Sequence, residues 1–349
     1  MSKLPTPGFW AGRRVLLTGH TGFKGSWAAL WLHALGAEVT GFALPPEGTD
    51  HHFGLAGVDA LLQHVEGDLR DPEALAACVA ACRPQAVLHL GAQALVRRGL
   101  ADPAGTFATN VQGTLNLLTA LRTHAPESPV LVVTSDKVYR NDDSGRAFTE
   151  DDPLGGKDPY SASKAACELL VGAWRQSYGA PVATVRGGNV IGGGDFAEDR
   201  VIPDTVRAAK DGLPVRLRHP GATRPWQHVL DCLNGYLLRM EAFETALSAP
   251  ALNIGPRPGE PATVAAVVEA LQATLGTAPW QPAGAEPSVE ARMLSLNPEA
   301  AHRLLGWSER LDTARALAWT GQWYRAWLDG ADMAAVSRDQ LNRFSEGTL

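Results

Sequence analysis

Tyr160 and Lys164 stand four residues apart in the segment YSASK, a spacing that puts a phenol and an ammonium on one face of a helix. A cation beside a phenol favours the phenolate and draws its pKa down from about 10. The pair is then a base able to take a hydroxyl proton while hydride leaves the same carbon. A second group of residues offers a place for the hydride acceptor. Gly19, Gly22 and Gly25, in GHTGFKG, follow an aliphatic strand and open a helix, as a pyrophosphate-binding turn must. Gly19 permits the tight turn, Gly22 lets backbone amides reach the phosphates, and Gly25 lets helix and strand approach closely. The next strand ends VTGFALPP and brings no acid for an adenine ribose 2′-hydroxyl. His20 and Lys24 in the turn suit either a 2′-phosphate or the pyrophosphate, so these residues leave NAD and NADP both open.

The elements that must hold these groups follow a strand–helix rhythm. RRVLLTG, a helix over 22–35 and AEVTGFAL make a βαβ unit. Strands are expected at 64–67, 86–92 and 130–136, with helices after Pro72 and over 110–122. The stretch after Tyr160, SASKAACELLVGAWRQSYG, reads as a helix and PVATVRGGNV as the next strand. Short aliphatic strands alternating with helices predict an α/β fold: a doubly wound, parallel-sheet Rossmann domain over 1–186. Residues 187–349 read mainly as a smaller C-terminal α/β substrate lobe, with segments around 225–255 returning to the first domain. Helices are expected there at 202–210, 229–241 and 263–275. Trp319, Trp323 and Trp327 recur every four residues, which predicts a packing face and not a ligand cage.

The spacing G-x-x-G-x-x-G, with Asp68 in GDLRD after the third strand, resembles the extended branch of the short-chain dehydrogenase/reductase superfamily. The resemblance implies that Asp68 bonds the adenine amino group and that Lys164 also binds the nicotinamide ribose. It implies a cofactor site of Gly19, Thr21, Gly22, Phe23, Lys24, Gly25, Asp68, Leu69, Ala92, Tyr160 and Lys164. In that superfamily a hydroxyl at the end of the fifth strand completes the catalytic triad, and here the position is held by Ser135 in TSDKVY. Epimerases of the superfamily carry small or neutral residues next. A sugar-nucleotide 4,6-dehydratase needs a base for the C5 proton and an acid for the departing C6 hydroxyl, and here Asp136 holds the acid position and Lys137 that of the base.

Lys in place of the common Glu is similar to the CDP-glucose 4,6-dehydratase branch. So are GFWAGRRVLLTGHTGFKGSW, GGKDPYSASKAACEL, RGGNVIGGGDFAEDRVIPD, RPWQHVLDCLNGYL and NIGP. To act as base Lys137 must be neutral, which calls for burial or a neighbouring cation. The branch implies conversion of CDP-glucose to CDP-4-keto-6-deoxyglucose, NAD as a recycled oxidant, and a homodimer built on a four-helix interface. It places Asn189 and Arg224 beside the substrate diphosphate, with Arg200 and Arg218 as further candidates and Arg97 or Arg98 near the cofactor edge. Gly187, Gly188 and Gly192 to Gly194 are expected to form a substrate-facing loop. A nucleotide-sugar 4-epimerase and a non-catalytic NAD(P)-sensing protein are the alternatives, disfavoured respectively by Asp136-Lys137 and by the intact Ser135, Tyr160 and Lys164.

Composition agrees with this class. The 349 residues are 45% hydrophobic and 19% charged, ordinary globular values, with 36 glycines whose spacing marks turns and ligand-hugging loops. A net charge of −6 and no string of basic residues argue against a nucleic-acid partner. The start lacks a signal-peptide core and no segment reaches the ~18 consecutive apolar residues of a membrane span, so a cytoplasmic protein with no membrane partner is expected. Cys78, Cys82, Cys167 and Cys232 are too few and scattered for a disulfide framework, and burial is expected for Cys78 and Cys82 with no metal site.

Overall fold

Branched aliphatic runs that can be buried on both faces produce the parallel sheet at the centre of this chain. The computed structural model describes residues 2–246, 248–257, 262–284 and 293–348. The chain runs β1 (Arg14–Thr18), α1 (Phe23–Ala34), β2 (Glu38–Ala43), β3 (Gln63–Glu66), α2 (Pro72–Cys82), β4 (Ala86–His89), α3 (Gly113–His124), β5 (Val130–Val133), α4 (Pro159–Tyr178) and β6 (Val182–Gly187). It continues through β7 (Asn189–Ile191), α5 (Val201–Lys210), β8 (Trp226–His228), α6 (Val229–Glu241), β9 (Ala251–Ile254), α7 (Val264–Leu275), α8 (Thr313–Leu328) and α9 (Met333–Glu346). Seven strands lie in the order β9-β6-β5-β4-β1-β2-β3, all parallel, so the chain reverses direction across the sheet between β1 and β4. That doubly wound order leaves a crevice at the carboxyl ends of β1 and β4.

Alternation along the strands divides the core. Val15, Leu17, Leu88, Leu131, Val133 and Val185 face a layer that includes Trp27 and Trp31 of α1, Leu233 and Leu237 of α6, and Trp319 and Trp323 of α8. Leu16, Val87, Val130, Val132 and Val182 face Leu75 and Val79 of α2, Leu117 and Leu121 of α3, and Val171 of α4. Each such side chain removed from water contributes about 1.5–3 kcal/mol. Trp327 packs partly buried against the first layer, so the tryptophan stripe is a packing face. β9 pairs with β6 and completes the sheet, while β7 and β8 form a separate parallel pair. Among the described residues no helix is long and apolar enough to cross a membrane.

Two strands stop earlier than their apolar runs suggest. β4 ends at His89 and not at residue 92, because the N–H of Gly91 turns to the Thr18 hydroxyl, 3.1 Å away. β5 ends at Val133 and not at residue 136, because the Ser135 hydroxyl accepts the N–H of Lys137 and starts a 3-10 turn, Asp136–Val138. The expected helix over 110–122 begins as a π-helical turn, Ala108–Gln112, ahead of α3. Such turns often mark functional positions. Here it carries Asn110, buried, whose side chain bonds Gln93 and the Ser163 hydroxyl of α4.

Candidate active site

The carboxyl ends of the parallel strands bring the chemistry-bearing residues together. At the end of β1, Gly19 adopts φ +75°, a conformation open to glycine without strain. A Cβ on Gly19 would lie 2.7 Å from the Gly91 Cα, and one on Gly25 would lie 2.0 Å from the Gly19 carbonyl oxygen. The turn, the loop after β4 and the first turn of α1 are therefore packed backbone against backbone. At Gly22 the nearest atom would be 3.4 Å away, and no side chain caps α1. The free N–H groups of that helix start thus face an open cradle, which fits the pyrophosphate of a dinucleotide. Leu69 packs on Gly91 across the crevice, and Ala92 lies in the loop beyond β4. The Thr21 hydroxyl bonds the Leu44 carbonyl, 2.9 Å, and Phe23 lies against Gly192. Asp68 is engaged by the Arg70 guanidinium at 2.6–3.0 Å, a pairing that holds its carboxyl below the usual range.

The catalytic candidates converge one strand further on. α4 is started by Asp158, whose carboxylate accepts the Ser161 N–H, and by Pro159 at its first position; it is stopped by Gly179 in the left-handed conformation. That register turns Tyr160 and Lys164 inward, both buried. The Lys164 ammonium donates to the Val133 carbonyl oxygen, 3.0 Å, at the end of β5. Burial pulls its pKa down. Burial also pushes the Tyr160 phenol up to about 12, against the pull of a Ser135 hydrogen bond and of the Arg200 charge. Burial thus opposes, in the protein alone, the lowering that a neighbouring cation brings.

Asp136 is 2% exposed. Its Oδ1 accepts the Ser135 hydroxyl at 3.0 Å, while Oδ2 is buried without a partner. Burial raises its pKa, opposed by the Lys137, Arg224 and Lys24 charges. A buried carboxyl whose pKa is raised and one of whose oxygens has no hydrogen-bond partner is suited to give a proton away. Lys137 is half-buried beside it in the same 3-10 turn. Gly188 lies against this acid, a Cβ there falling 3.5 Å from Asp136 Oδ2. The β7–β8 pairing sets Asn189 opposite Trp226, two residues from Arg224, at the same mouth.

Lys24 points to the catalytic side of its turn. Its ammonium lies 5.9 Å from the centre of the Tyr236 ring and is influenced by Arg200, Asp136 and Asp195, while burial lowers its pKa. Tyr236 and Cys232 of α6 sit close by, the Tyr236 hydroxyl lying under Gly187. These two were missed in the sequence, where they look like ordinary helix residues. Arg200 pairs with Asp195 at 3.2 Å, and Arg97 and Arg218 both approach Asp199. Arg98 pairs with Glu47 at 2.7 Å.

Part of one expected loop is packed into the protein. Gly192, Gly193 and Gly194 are buried, and a Cβ would strike Val229, Trp323 and His52 respectively. Their smallness serves packing against Val229, Trp323 and His52, while Gly187 borders the Tyr236 hydroxyl and Gly188 borders Asp136.

Comparison with known proteins gives a consistent result. The model of the NAD dependent epimerase/dehydratase family matches residues 15–255. The CDP-glucose 4,6-dehydratase of Salmonella typhimurium is 38% identical, over 97% of this chain and 98% of that protein. The dTDP-glucose 4,6-dehydratase of Streptomyces venezuelae, solved with NAD bound, superposes with a TM-score of 0.78 at 30% identity, covering 92% of this chain and 99% of that one. The UDP-glucose 4-epimerase of Thermus thermophilus, also solved with NAD, gives a TM-score of 0.78 at 30% identity, with coverage of 89% and 99%.

Proposed function

The chain belongs to the NAD-dependent epimerase/dehydratase family, and from that premise we propose that it is a sugar-nucleotide 4,6-dehydratase converting CDP-glucose to CDP-4-keto-6-deoxyglucose in the cytoplasm. The observation that carries this reading is the buried Asp136, its pKa raised and one oxygen unpaired, next to Lys137 and hydrogen-bonded to Ser135. A 4-epimerase has no use for such an acid, because oxidation and reduction at C4 need no proton at C6.

Tyr160, with Lys164 and Ser135 beside it, takes the proton of the C4 hydroxyl. The glycine cradle of Gly19, Gly22 and Gly25 would hold NAD, which would supply the acceptor for the C4 hydride and the hydride for C6. With C4 a ketone the C5 hydrogen becomes acidic, and Lys137 removes it. Asp136 gives its proton to the C6 hydroxyl as the C6–O bond breaks, the C5–C6 double bond forms, and water leaves. The proton on Lys137 later returns to C5, Tyr160 releases the C4-hydroxyl proton to solvent, and Asp136 recovers its own from solvent. Arg224 and Asn189 hold the diphosphate, for which a planar guanidinium is suited, with Arg200 and Arg218 at the same mouth.

In this reading residues 1–186 form the NAD-binding domain and 187–349 mainly the substrate lobe, with β9 returning to the sheet. The active form is a homodimer joined through α4 and the short helices Val96–Ala101 and Pro103–Phe107 that precede α3, where Leu100, Phe107 and Leu169 stand exposed at 46%, 40% and 67%. The test is incubation with a panel of nucleotide sugars, followed by mass spectrometry. Loss of one water from CDP-glucose is expected. A mass-neutral conversion would establish the epimerase instead, and no change in CDP-glucose would refute the assignment.

A further inference from the structure

The turn that carries Asp136 and Lys137 is bracketed by a buried ion pair that the chemistry above leaves unused. Arg186 Nη2, at the end of β6, donates to Glu168 Oε2 of α4 at 2.9 Å, with side chains 6% and 4% exposed. Glu168 Oε1 accepts the hydroxyl of Thr134 at 2.5 Å, and Oε2 also accepts that of Thr184 at 2.8 Å. Thr134 is the residue immediately before Ser135. On the other side, Arg186 Nη1 donates to the Tyr139 phenol oxygen at 2.8 Å and to the Glu150 carbonyl at 2.9 Å. Tyr139 is the residue immediately after the 3-10 turn. Its hydroxyl donates to Asn253 Oδ1 of β9 at 2.7 Å, and the backbone N–H of Asn253 donates to the Glu150 carboxylate at 2.8 Å. Glu168 thus grips the entry to the turn and Arg186 its exit.

Helix geometry puts this pair in line with the base. Tyr160, Lys164 and Glu168 follow one another every four residues along one face of α4. They meet, respectively, Ser135, the Val133 carbonyl and the Thr134 hydroxyl. Tyr160 and Lys164 ride on a long helix with its own caps. Asp136 and Lys137 ride on three residues of 3-10 turn, a short element of poorer hydrogen-bond geometry. A buried ion pair is weak as a source of stability, since well-packed apolar residues would fill the space as well. What it adds is direction, because each charge accepts partners only along fixed hydrogen-bond lines.

We propose that Glu168 and Arg186 are positioning residues that set the distance of Asp136 and Lys137 from the Tyr160–Lys164 base, and so serve loss of water across C5–C6 more than oxidation at C4. The proposal rests on the dehydratase reading and adds a division of labour to it.

The test uses Tyr139→Phe and Thr134→Val, each of which deletes one hydroxyl, leaves the ion pair in place and preserves side-chain volume. CDP-glucose labelled with deuterium at C4 or at C5 is turned over by each protein, and water loss is followed by mass spectrometry. Each variant is expected to release water on the order of tenfold more slowly. The isotope effect from the C5 label should grow and that from the C4 label shrink, as elimination becomes the slower step. Thr134→Ser, which keeps the hydroxyl, should restore the wild-type pair of isotope effects. Variants that slow both steps equally, or neither, would overturn the proposal. Wild-type protein that releases no water from CDP-glucose would instead sink the dehydratase reading, so the two failures are distinct.

Discussion

Gly25→Ala is the most direct probe of the cradle. The added methyl would lie 2.0 Å from the Gly19 carbonyl oxygen, 2.7 Å from its carbon and 2.8 Å from the His20 Cα. All three are backbone atoms, so no side chain can swing away. Ordinary contact begins near 3.4 Å, and the start of α1 must move by roughly 1 Å or more relative to the Gly19–His20 turn. Overpacking of this kind costs about 1–3 kcal/mol of stability. The same shift pulls the free N–H groups of the helix start away from the pyrophosphate, and each charge-assisted hydrogen bond lost is worth about 1.5–3 kcal/mol. Loss of one bond predicts NAD binding on the order of 10- to 100-fold weaker. Calorimetric titration of the apoprotein with NAD measures it. Gly22→Ala is the control: its methyl meets no protein atom closer than 3.4 Å, so it should weaken NAD while leaving thermal stability unchanged. Wild-type NAD affinity in Gly25→Ala would refute the reasoning, because the cradle would then not depend on that backbone contact.

Tyr160→Phe should lower turnover by about 10²–10⁴-fold, the range for loss of a positioned proton acceptor, with NAD binding by calorimetry retained. Asp136→Asn combined with Lys137→Ala should leave oxidation of the sugar detectable while blocking water loss; elimination at the normal rate would show that other groups carry it. Asp231, at the start of α6, is buried and its pKa is pushed up to about 7 by burial, against the Arg310 and Leu311 N–H groups that its oxygens accept at 2.7 and 3.0 Å. The folded side chain keeps its proton while the unfolded one ionises above about pH 4, so this group's contribution to stability is greatest in acid and falls, by up to about 1.4 kcal/mol per pH unit, as pH rises toward 7. The melting temperature of Asp231→Asn should therefore gain on wild type between about pH 5 and about pH 8; a constant gap would contradict the assignment.

The parts of the site that lie within one strand and one helix could be read directly. GHTGFKG declares its turn because glycine is required where backbone meets backbone, and Tyr160 and Lys164 declare their shared face through helical spacing. Strand ends were harder to place. Leu90 to Ala92 look like more of β4, but the Thr18 hydroxyl that captures the Gly91 N–H comes from a strand 73 residues earlier. The tight packing of Gly193 and Gly194 could not be read from the sequence, because their neighbours, Trp323 and His52, are remote in it. Glu168 could have been suspected from its four-residue step beyond Lys164. Its partner Arg186 could not, since only the β5–β6 pairing brings them together. The burial that raises the Tyr160 phenol was hidden for a related reason: spacing identifies the nearby cation, but the depth of burial is a property of the fold.

The late arrival of β9 in the sheet has a consequence for how the protein is made. β6 is buried along its whole length, and the strand that covers one of its edges begins at Ala251, more than sixty residues downstream. At a synthesis rate of about 5–20 residues per second that edge stays open for several seconds on the ribosome. An apolar strand edge left unpaired is a template for association with other chains. A fragment ending near residue 186 would keep that edge permanently, and would be expected to aggregate where the full chain folds.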